Sequence, residues 1–437
     1  MTLTRLPIKT LAAALLAFAA TLTILALAHR GAGPRAARPA ADAGPAPIAR
    51  SLDARIRILQ TQVRSGVGGV DTSALLADAY LQKVRETGDA SWYQRAATVL
   101  EAAHRRDPRD SAVATGLGTL ALARHDFRAG LTWGIEAHRL APAVVRPLGV
   151  IVDAQVELGR YDDAARTLQR MVDLKPNLAS YARVSYFREL HGDLGGALAA
   201  MRLALSAGGE APENVAYVQT LIGTLEFGRG RLGAARLAYR EALARVPGYV
   251  PARAGVARVD AAQGRLGAAI DGYRRVVERL PLPEYAIALG DTELAAGRTA
   301  DARSDYGLVR AEQRLLAVSG VNTDVELAIF EADHGDPARA VALARRGYAA
   351  APSVRSSDAL GWALTRAHRA SAGLAYARRA LALGSRDPAF LYHAGIAARD
   401  AGHTAEARAW LARAVSLNPR FAPINGPRAR RAVEALR

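Results

Sequence analysis

Residues 158–176 read LGRYDDAARTLQRMVDLKP, and residues 229–247 read RGRLGAARLAYREALARVP. Both stretches have Gly second, Ala seventh and Pro last. Gly favours the end of one helix and Pro the end of the next, so each stretch predicts a turn followed by one helix. The seventh residue recurs as a small residue ten times along the chain, at intervals of 33 to 38 residues. A regular period of this length indicates a solenoid. The ten positions are Ala96, Gly130, Ala164, Ala197, Ala235, Ala269, Ala302, Ala340, Gly373 and Ala407.

The repeat resembles the tetratricopeptide repeat family over about residues 70–420. Small residues lie where two helices must approach closely, and Tyr239 and Tyr273 occupy the family's aromatic position. The Trp often found near the start of the family's repeat is missing. The resemblance implies an all-α fold, a right-handed α-solenoid of about ten helix-turn-helix repeats. An N-terminal transmembrane or signal helix is expected to precede it.

The chain divides into five predicted segments. Extra residues in two repeats, at 206–214 and 310–319, predict a longer loop and a longer second helix, respectively. The segments are residues 1–30, a signal peptide or signal anchor; 31–50, a Pro- and Ala-rich linker; 51–72, an N-terminal cap; 73–420, ten repeats; and 421–437, a C-terminal capping helix.

The N-terminus predicts export in a bacterium. Arg5 and Lys9 precede residues 11–28, which carry no charge. An uncleaved anchor would hold the solenoid outside the cytoplasm at the cell membrane. Cleavage after Ala28 would release it to the periplasm or the medium, and a cytoplasm-facing anchor is the third alternative.

The composition provides few side chains suited to catalysis or metal binding. The chain has no Cys, nine His and a formal net charge of +17. Five of the His fall in the turn between the two helices of a repeat and two more share one position just before the repeat boundary, so they are not expected to converge on one metal ion. Catalytic and nucleotide-binding motifs are missing as well. We therefore expect no enzyme, cofactor or metal site, and the scattered charge does not favour nucleic acid.

Function is expected on the first helices, which by the family resemblance line a concave groove. Aromatic, Arg and acidic side chains there favour a protein or peptide partner. The chain would then be a scaffold in an envelope, secretion or polysaccharide-export assembly. Alternatives are a groove for a polysaccharide or another polymer, held by Tyr186, Tyr217 and Trp362, and a cytoplasm-facing regulatory arm of a membrane complex. The groove candidates are Arg146, Asp153, Glu157, Tyr186, Tyr217, Phe227, Arg258, Glu284, Asp291, Arg355, Trp362, Arg366 and Arg399.

Overall fold

A computed structural model describes residues 51–209 and 211–436. These residues form twenty-two α-helices and no strand. The predicted signal segment, 1–30, and the linker, 31–50, lie outside the described residues. Among the helices of the described ranges, none combines the length and the apolar character needed to cross a membrane.

The helices follow one another in a regular order along the chain. They are α1 Leu52–Ser65, α2 Gly69–Thr87, α3 Ser91–Arg106, α4 Ser111–Ala123, α5 Phe127–Leu140, α6 Arg146–Glu157, α7 Tyr161–Leu174, α8 Leu178–Leu190, α9 Leu194–Ala207, α10 Pro212–Gly228, α11 Leu232–Arg245, α12 Val250–Ala262, α13 Leu266–Arg279, α14 Pro283–Ala295, α15 Thr299–Val318, α16 Asp324–His334, α17 Pro337–Ala350, α18 Val354–Arg366, α19 Ala370–Ala380, α20 Pro388–Asp400, α21 Thr404–Leu417 and α22 Asn425–Glu434.

Ten helical hairpins, from α2–α3 to α20–α21, make up the body of the solenoid, with α1 and α22 packed at its two ends. All ten recurring small residues lie on the second helix of a hairpin. The eight alanines among them are at most 1% exposed, because each contacts the first helix closely. The period seen in the sequence is therefore the period of helix packing.

Glycine on the first helices makes room for aromatic rings. A Cβ on Gly223 of α10 would lie 2.5 Å from the Tyr239 ring, and one on Gly255 of α12 would lie 2.4 Å from it. Tyr239 is thus held between the first helices of two successive hairpins, where a larger residue than Gly would not fit.

The predicted turn glycines adopt the left-handed conformation in six of seven hairpins, with φ between 70° and 83°. Gly335 is the exception, since its φ of −135° lies outside that region. His125 and His368 take positive φ at the equivalent turn position of two hairpins that lack Gly there. The left-handed residues are Gly159, Gly192, Gly230, Gly264, Gly297 and Gly402.

The two insertions lengthen helices rather than loops. α15 has 20 residues where most second helices have 14, as the sequence predicts. The long loop predicted at 206–214 is wrong in part, because α9 continues to Ala207 and α10 already begins at Pro212. The added residues there extend α10 to 17 residues.

The first helices form an inner layer and the second helices an outer one. In α6, every residue from Pro147 to Glu157 is buried, and in α20 the same holds from Pro388 to Ala398. An outer helix such as α11 buries only four residues. Helices buried all round need protein on every side, so something must cover the inner layer.

The chain itself covers the inner layer, because the solenoid winds back onto itself. The Asn322 N–H donates to the Arg124 carbonyl at 2.9 Å, and the Asn418 side chain donates to the Phe227 carbonyl at 2.7 Å. The first contact joins the turn after α4 to the loop before α16, and the second joins the end of α10 to the loop before α22, each about 190 to 200 residues later in the chain. From the seventh hairpin on, the chain therefore stacks on the hairpin six places earlier.

Candidate functional site

The open groove expected on the inner wall is filled by the protein. Tyr186 and Tyr217 are 4% and 3% exposed and share one apolar cluster with Val354 and Phe390 of the later hairpins. Trp362 is 2% exposed. The expectation that these aromatic side chains are exposed is wrong. The second turn of the solenoid covers Tyr186 and Tyr217, whereas Trp362 is buried by the neighbouring repeats of its own turn, with its ring stacked on His393. They are not accessible for stacking on a sugar.

Four predicted residues do come together, in a buried charged cluster between the two turns. The Arg355 guanidinium lies 3.7 Å from the Glu157 carboxylate, which the Tyr186 hydroxyl approaches at 3.5 Å. Asp153 lines the same small cavity, whose volume is about 40 Å³. A space of this size holds only about one or two water molecules. The cluster therefore joins the two turns of the solenoid and is not a ligand site.

The carboxylate of Asp153 has its own partner in this cluster. Arg183 donates two hydrogen bonds to it, at 2.6 and 2.8 Å. Burial nevertheless raises the pKa of Asp153, and Arg183 offsets this only in part. A buried pair of this kind stabilises little on its own but makes the loss of either partner costly.

Other predicted residues are paired along the inner wall and its edge. The Arg258 guanidinium lies 4.0 Å from the centre of the Phe227 ring, and Arg366 lies 5.6 Å from that of Trp362. Arg146 pairs with Asp78 at 2.5 Å. These contacts give each of the three arginines a partner within the chain, although the Arg146 Nε is buried without a hydrogen bond among the described residues.

The remaining predicted residues are separated from one another. Asp291 accepts a hydrogen bond from the Tyr306 hydroxyl at 2.8 Å and lies 2.9 Å from a ring nitrogen of His334. Glu284 is exposed, as is Arg399, which pairs with its neighbour Asp400 at 2.8 Å. They do not form a common surface with the buried cluster.

Sequence reasoning missed the partners that hold the inner wall together. His393 lies 3.0 Å from the Asp358 carboxylate, and its ring stacks on Trp362 with 4.3 Å between centres. Asp358 and His393 are 35 residues apart, and Asp153 and Arg183 are 30 apart. Opposite charges separated by about one repeat on first helices are the signal that could have found both pairs. Across residues 51–209 and 211–436, no group of three potential metal ligands comes together.

The outer surface has a larger cleft, which we call the α15–α17 cleft. Its volume is about 340 Å³, and it lies between the extended end of α15, the loop before α16, and α17. Four guanidinium groups line it together with the side chain of Gln313. The arginines are Arg310, Arg314, Arg339 and Arg346. None of the thirteen predicted residues belongs to this cleft.

Two segments of the chain, residues 150–214 and 220–282, match the sequence profile of the tetratricopeptide repeat family. These segments cover α6 to α13 of the hairpin array. The chain therefore contains tetratricopeptide repeats, which suggest a protein-interaction scaffold, and the described residues on either side of these segments are helical hairpins as well. No curated protein matches the chain significantly.

Solved structures similar to this chain include the following three. The human IFIT1 dimer with PPP-AAAA is 15% identical with a TM-score of 0.45, over 83% of this chain and 94% of that one. A thermophilic tetratricopeptide repeat protein of Thermus thermophilus is 19% identical with a TM-score of 0.36, over 48% of this chain and 98% of that one. A tetratricopeptide repeat protein from Parabacteroides merdae is 15% identical with a TM-score of 0.35, over 59% of this chain and 98% of that one. At these identities the likeness extends to the helical fold alone.

Proposed function

We propose that this protein is a non-catalytic scaffold that binds partner proteins on its outer surface. The observation that carries the proposal is the filled inner wall: the second turn occupies the place where a peptide would lie in an open solenoid. Surface left to a partner lies on the outer helices, which bury only one narrow stripe each. The α15–α17 cleft is a concave feature of this surface.

The cellular setting is part of the same proposal. Residues 11–28 lack charge and follow Arg5 and Lys9, which supports tethering to, or export across, the cytoplasmic membrane of a bacterium. A partner complex would then belong to an envelope, secretion or polysaccharide-export assembly. The alternative orientation makes the solenoid a cytoplasmic regulatory arm of a membrane complex.

Site-specific photo-cross-linking in intact cells tests the scaffold function. Lysine-directed reagents would be inefficient because the chain has only Lys9, Lys83 and Lys175. A photoreactive residue in place of exposed Ile135, Leu237 or Ala317 avoids this difficulty and leaves the core intact. We expect adducts with another protein from at least one position. Adducts with a second copy alone, or none at all, would contradict the proposal.

Protease treatment of intact cells, compared with cells whose outer barrier has been opened, tests the orientation. An extracytoplasmic solenoid is digested once the barrier is opened while the cytoplasmic membrane is still closed. Digestion only after lysis of the cytoplasmic membrane would favour the regulatory arm.

A further inference from the structure

We propose that the α15–α17 cleft binds an acidic peptide segment of a partner protein, a specificity that rests on the scaffold function proposed above. The cleft is built by the insertion that lengthens α15. Arg310, Gln313, Arg314 and Ala317 follow one another at helical spacing on the added turns, so they share one face of the helix and together line the cleft. A second helix of ordinary length would lack this wall.

The cleft carries more positive than negative charge. Glu331 is 1% exposed and accepts two hydrogen bonds from Arg310, at 3.0 and 3.2 Å, while Arg339 lies 3.6 Å away. Burial raises the pKa of Glu331, but hydrogen bonds from Arg310 and the Asp336 backbone outweigh it and leave the pKa below its ordinary value. Glu331 is therefore an anion that neutralises one guanidinium.

A second carboxylate neutralises another guanidinium. Arg346 donates to Asp324 at 2.7 and 2.9 Å. Arg314 is exposed and has neither an ion pair nor a hydrogen bond among residues 51–209 and 211–436. Four cations against two anions leave a local excess of about two positive charges, and Arg314 is the group most available to an added carboxylate.

Gln313 adds an independent indication of a ligand. The residue is 4% exposed, and neither its amide nitrogen nor its amide oxygen has a hydrogen-bond partner within the described part of the chain. Burying an amide without partners is costly. A peptide backbone offers one N–H and one C=O, which are the two groups that a Gln side chain can pair with.

The surroundings favour a peptide over nucleic acid. No aromatic side chain lines the cleft, so there is no platform on which a base could stack. Leu315 and Val318, on the same end of α15 but outside the residues that line the cleft, are 67% and 88% exposed and add apolar surface beside it. The cleft's volume lies at the small end of ligand pockets, which suits a few residues of an extended peptide.

Fluorescence anisotropy on the purified protein tests the site. The probe is a fluorescein-labelled peptide of six glutamates at about 150 mM salt, which screens long-range attraction. Arg314→Glu changes the cleft. Arg303→Glu, at an exposed position of the same helix outside the cleft, is the matched control and changes the net charge equally.

We expect Arg314→Glu to weaken binding about tenfold or more and Arg303→Glu to change it less than twofold. Gln313→Leu should weaken binding about threefold and leave the preference for glutamate unchanged, because the Gln313 amide pairs with the peptide backbone and not with the glutamate side chains. A six-glutamine peptide should bind far more weakly than the glutamate probe. Circular dichroism checks that each variant keeps its fold.

Three outcomes would overturn the proposal. They are the absence of measurable binding, equal losses for Arg303→Glu and Arg314→Glu, and displacement of the peptide by a twelve-nucleotide single-stranded RNA at lower concentration than unlabelled peptide. The first two would leave no specific site in the cleft, and the third would assign it to nucleic acid. The scaffold function fails separately, if photo-cross-linking from Ile135, Leu237 and Ala317 gives no partner protein.

Discussion

The Val354 backbone N–H donates a hydrogen bond to the Tyr161 hydroxyl at 2.8 Å, although the two residues are 193 positions apart in the chain. Tyr161 begins α7 and Val354 begins α18, so the bond joins two turns of the solenoid. The His125 side chain makes the equivalent connection to the Asn322 carbonyl at 2.7 Å. In a simple repeat array each repeat contacts only its neighbours, and these contacts depart from that rule.

Tyr161→Phe is expected to destabilise the protein by about 1 kcal/mol, because it leaves the Val354 N–H without its acceptor. Urea unfolding measures the loss, and hydrogen exchange at the Val354 amide should become faster. Tyr181→Phe is the control, since this half-buried tyrosine makes no side-chain hydrogen bond among the described residues. Equal behaviour of the two variants would contradict a role for the Tyr161 hydroxyl.

Gly159→Ala is expected to be more destabilising than Gly297→Ala. Both glycines have positive φ at the equivalent turn, 70° and 79°, so each alanine should cost about 1 to 2 kcal/mol in backbone strain. A Cβ at Gly159 would also lie 2.4 Å from the Pro352 carbonyl oxygen of the next turn, whereas nothing lies within 4 Å at Gly297. We expect an additional loss of about 2 kcal/mol at Gly159 in urea unfolding. Equal losses would mean that the two turns separate easily.

Local features of the fold could be predicted because they depend on neighbouring residues. Ala164 and Gly159 mark a helix contact and a helix end wherever the repeat occurs. The stacking of two turns could not be predicted, because it depends on a small rotation between hairpins that accumulates over six repeats. For the same reason the sequence placed Tyr186 on the correct wall but left it exposed, whereas Trp362 is buried by His393 of the next repeat. The α15–α17 cleft could not be predicted in the same way. The insertion at 310–319 predicts a longer α15, but the cleft depends on how that longer helix lies against α17.

The pair of His393 and Asp358 predicts a loss of stability as the pH rises. Burial lowers the pKa of His393, but the carboxylates of Asp358, Asp333 and Asp387 outweigh it and raise the pKa above its ordinary value. The folded state therefore binds a proton that the unfolded state releases near pH 6.5. The contribution is complete below pH 6.5 and is lost as the pH rises through the higher folded pKa.

Urea unfolding of the wild type and Asp358→Asn at several pH values measures this contribution. The substitution should cost about 1 kcal/mol more at pH 6 than at pH 9, since one pKa unit corresponds to about 1.4 kcal/mol. A cost independent of pH would show that His393 is neutral in the folded protein.

Glu312→Gln is expected to stabilise the protein above neutral pH. Both carboxylate oxygens of Glu312 are buried without a partner, and burial, helped by Glu284, raises its pKa to about 7. The unfolded carboxyl ionises near pH 4.5, so stability falls as the pH rises from there through 7. The neutral isostere should gain about 2 kcal/mol at pH 8 and nothing at pH 4.5.

The matched control for this change is Glu241→Gln, on an exposed face of α11. Thermal unfolding of both variants at pH 4.5 and pH 8 is sufficient. Similar gains for the two variants at pH 8 would indicate a general effect of net charge instead of the burial of Glu312.

The contact between Gly159 and the Pro352 carbonyl also limits how this gene can change. Tandem arrays lengthen and shorten by whole repeats, and in an open solenoid such a step leaves the remaining interfaces intact. Here, one hairpin gained or lost between these two residues would move every later loop away from the turn it contacts. Descendants of this sequence can therefore vary the number of repeats only beyond the stacked region, or by losing the stacking altogether.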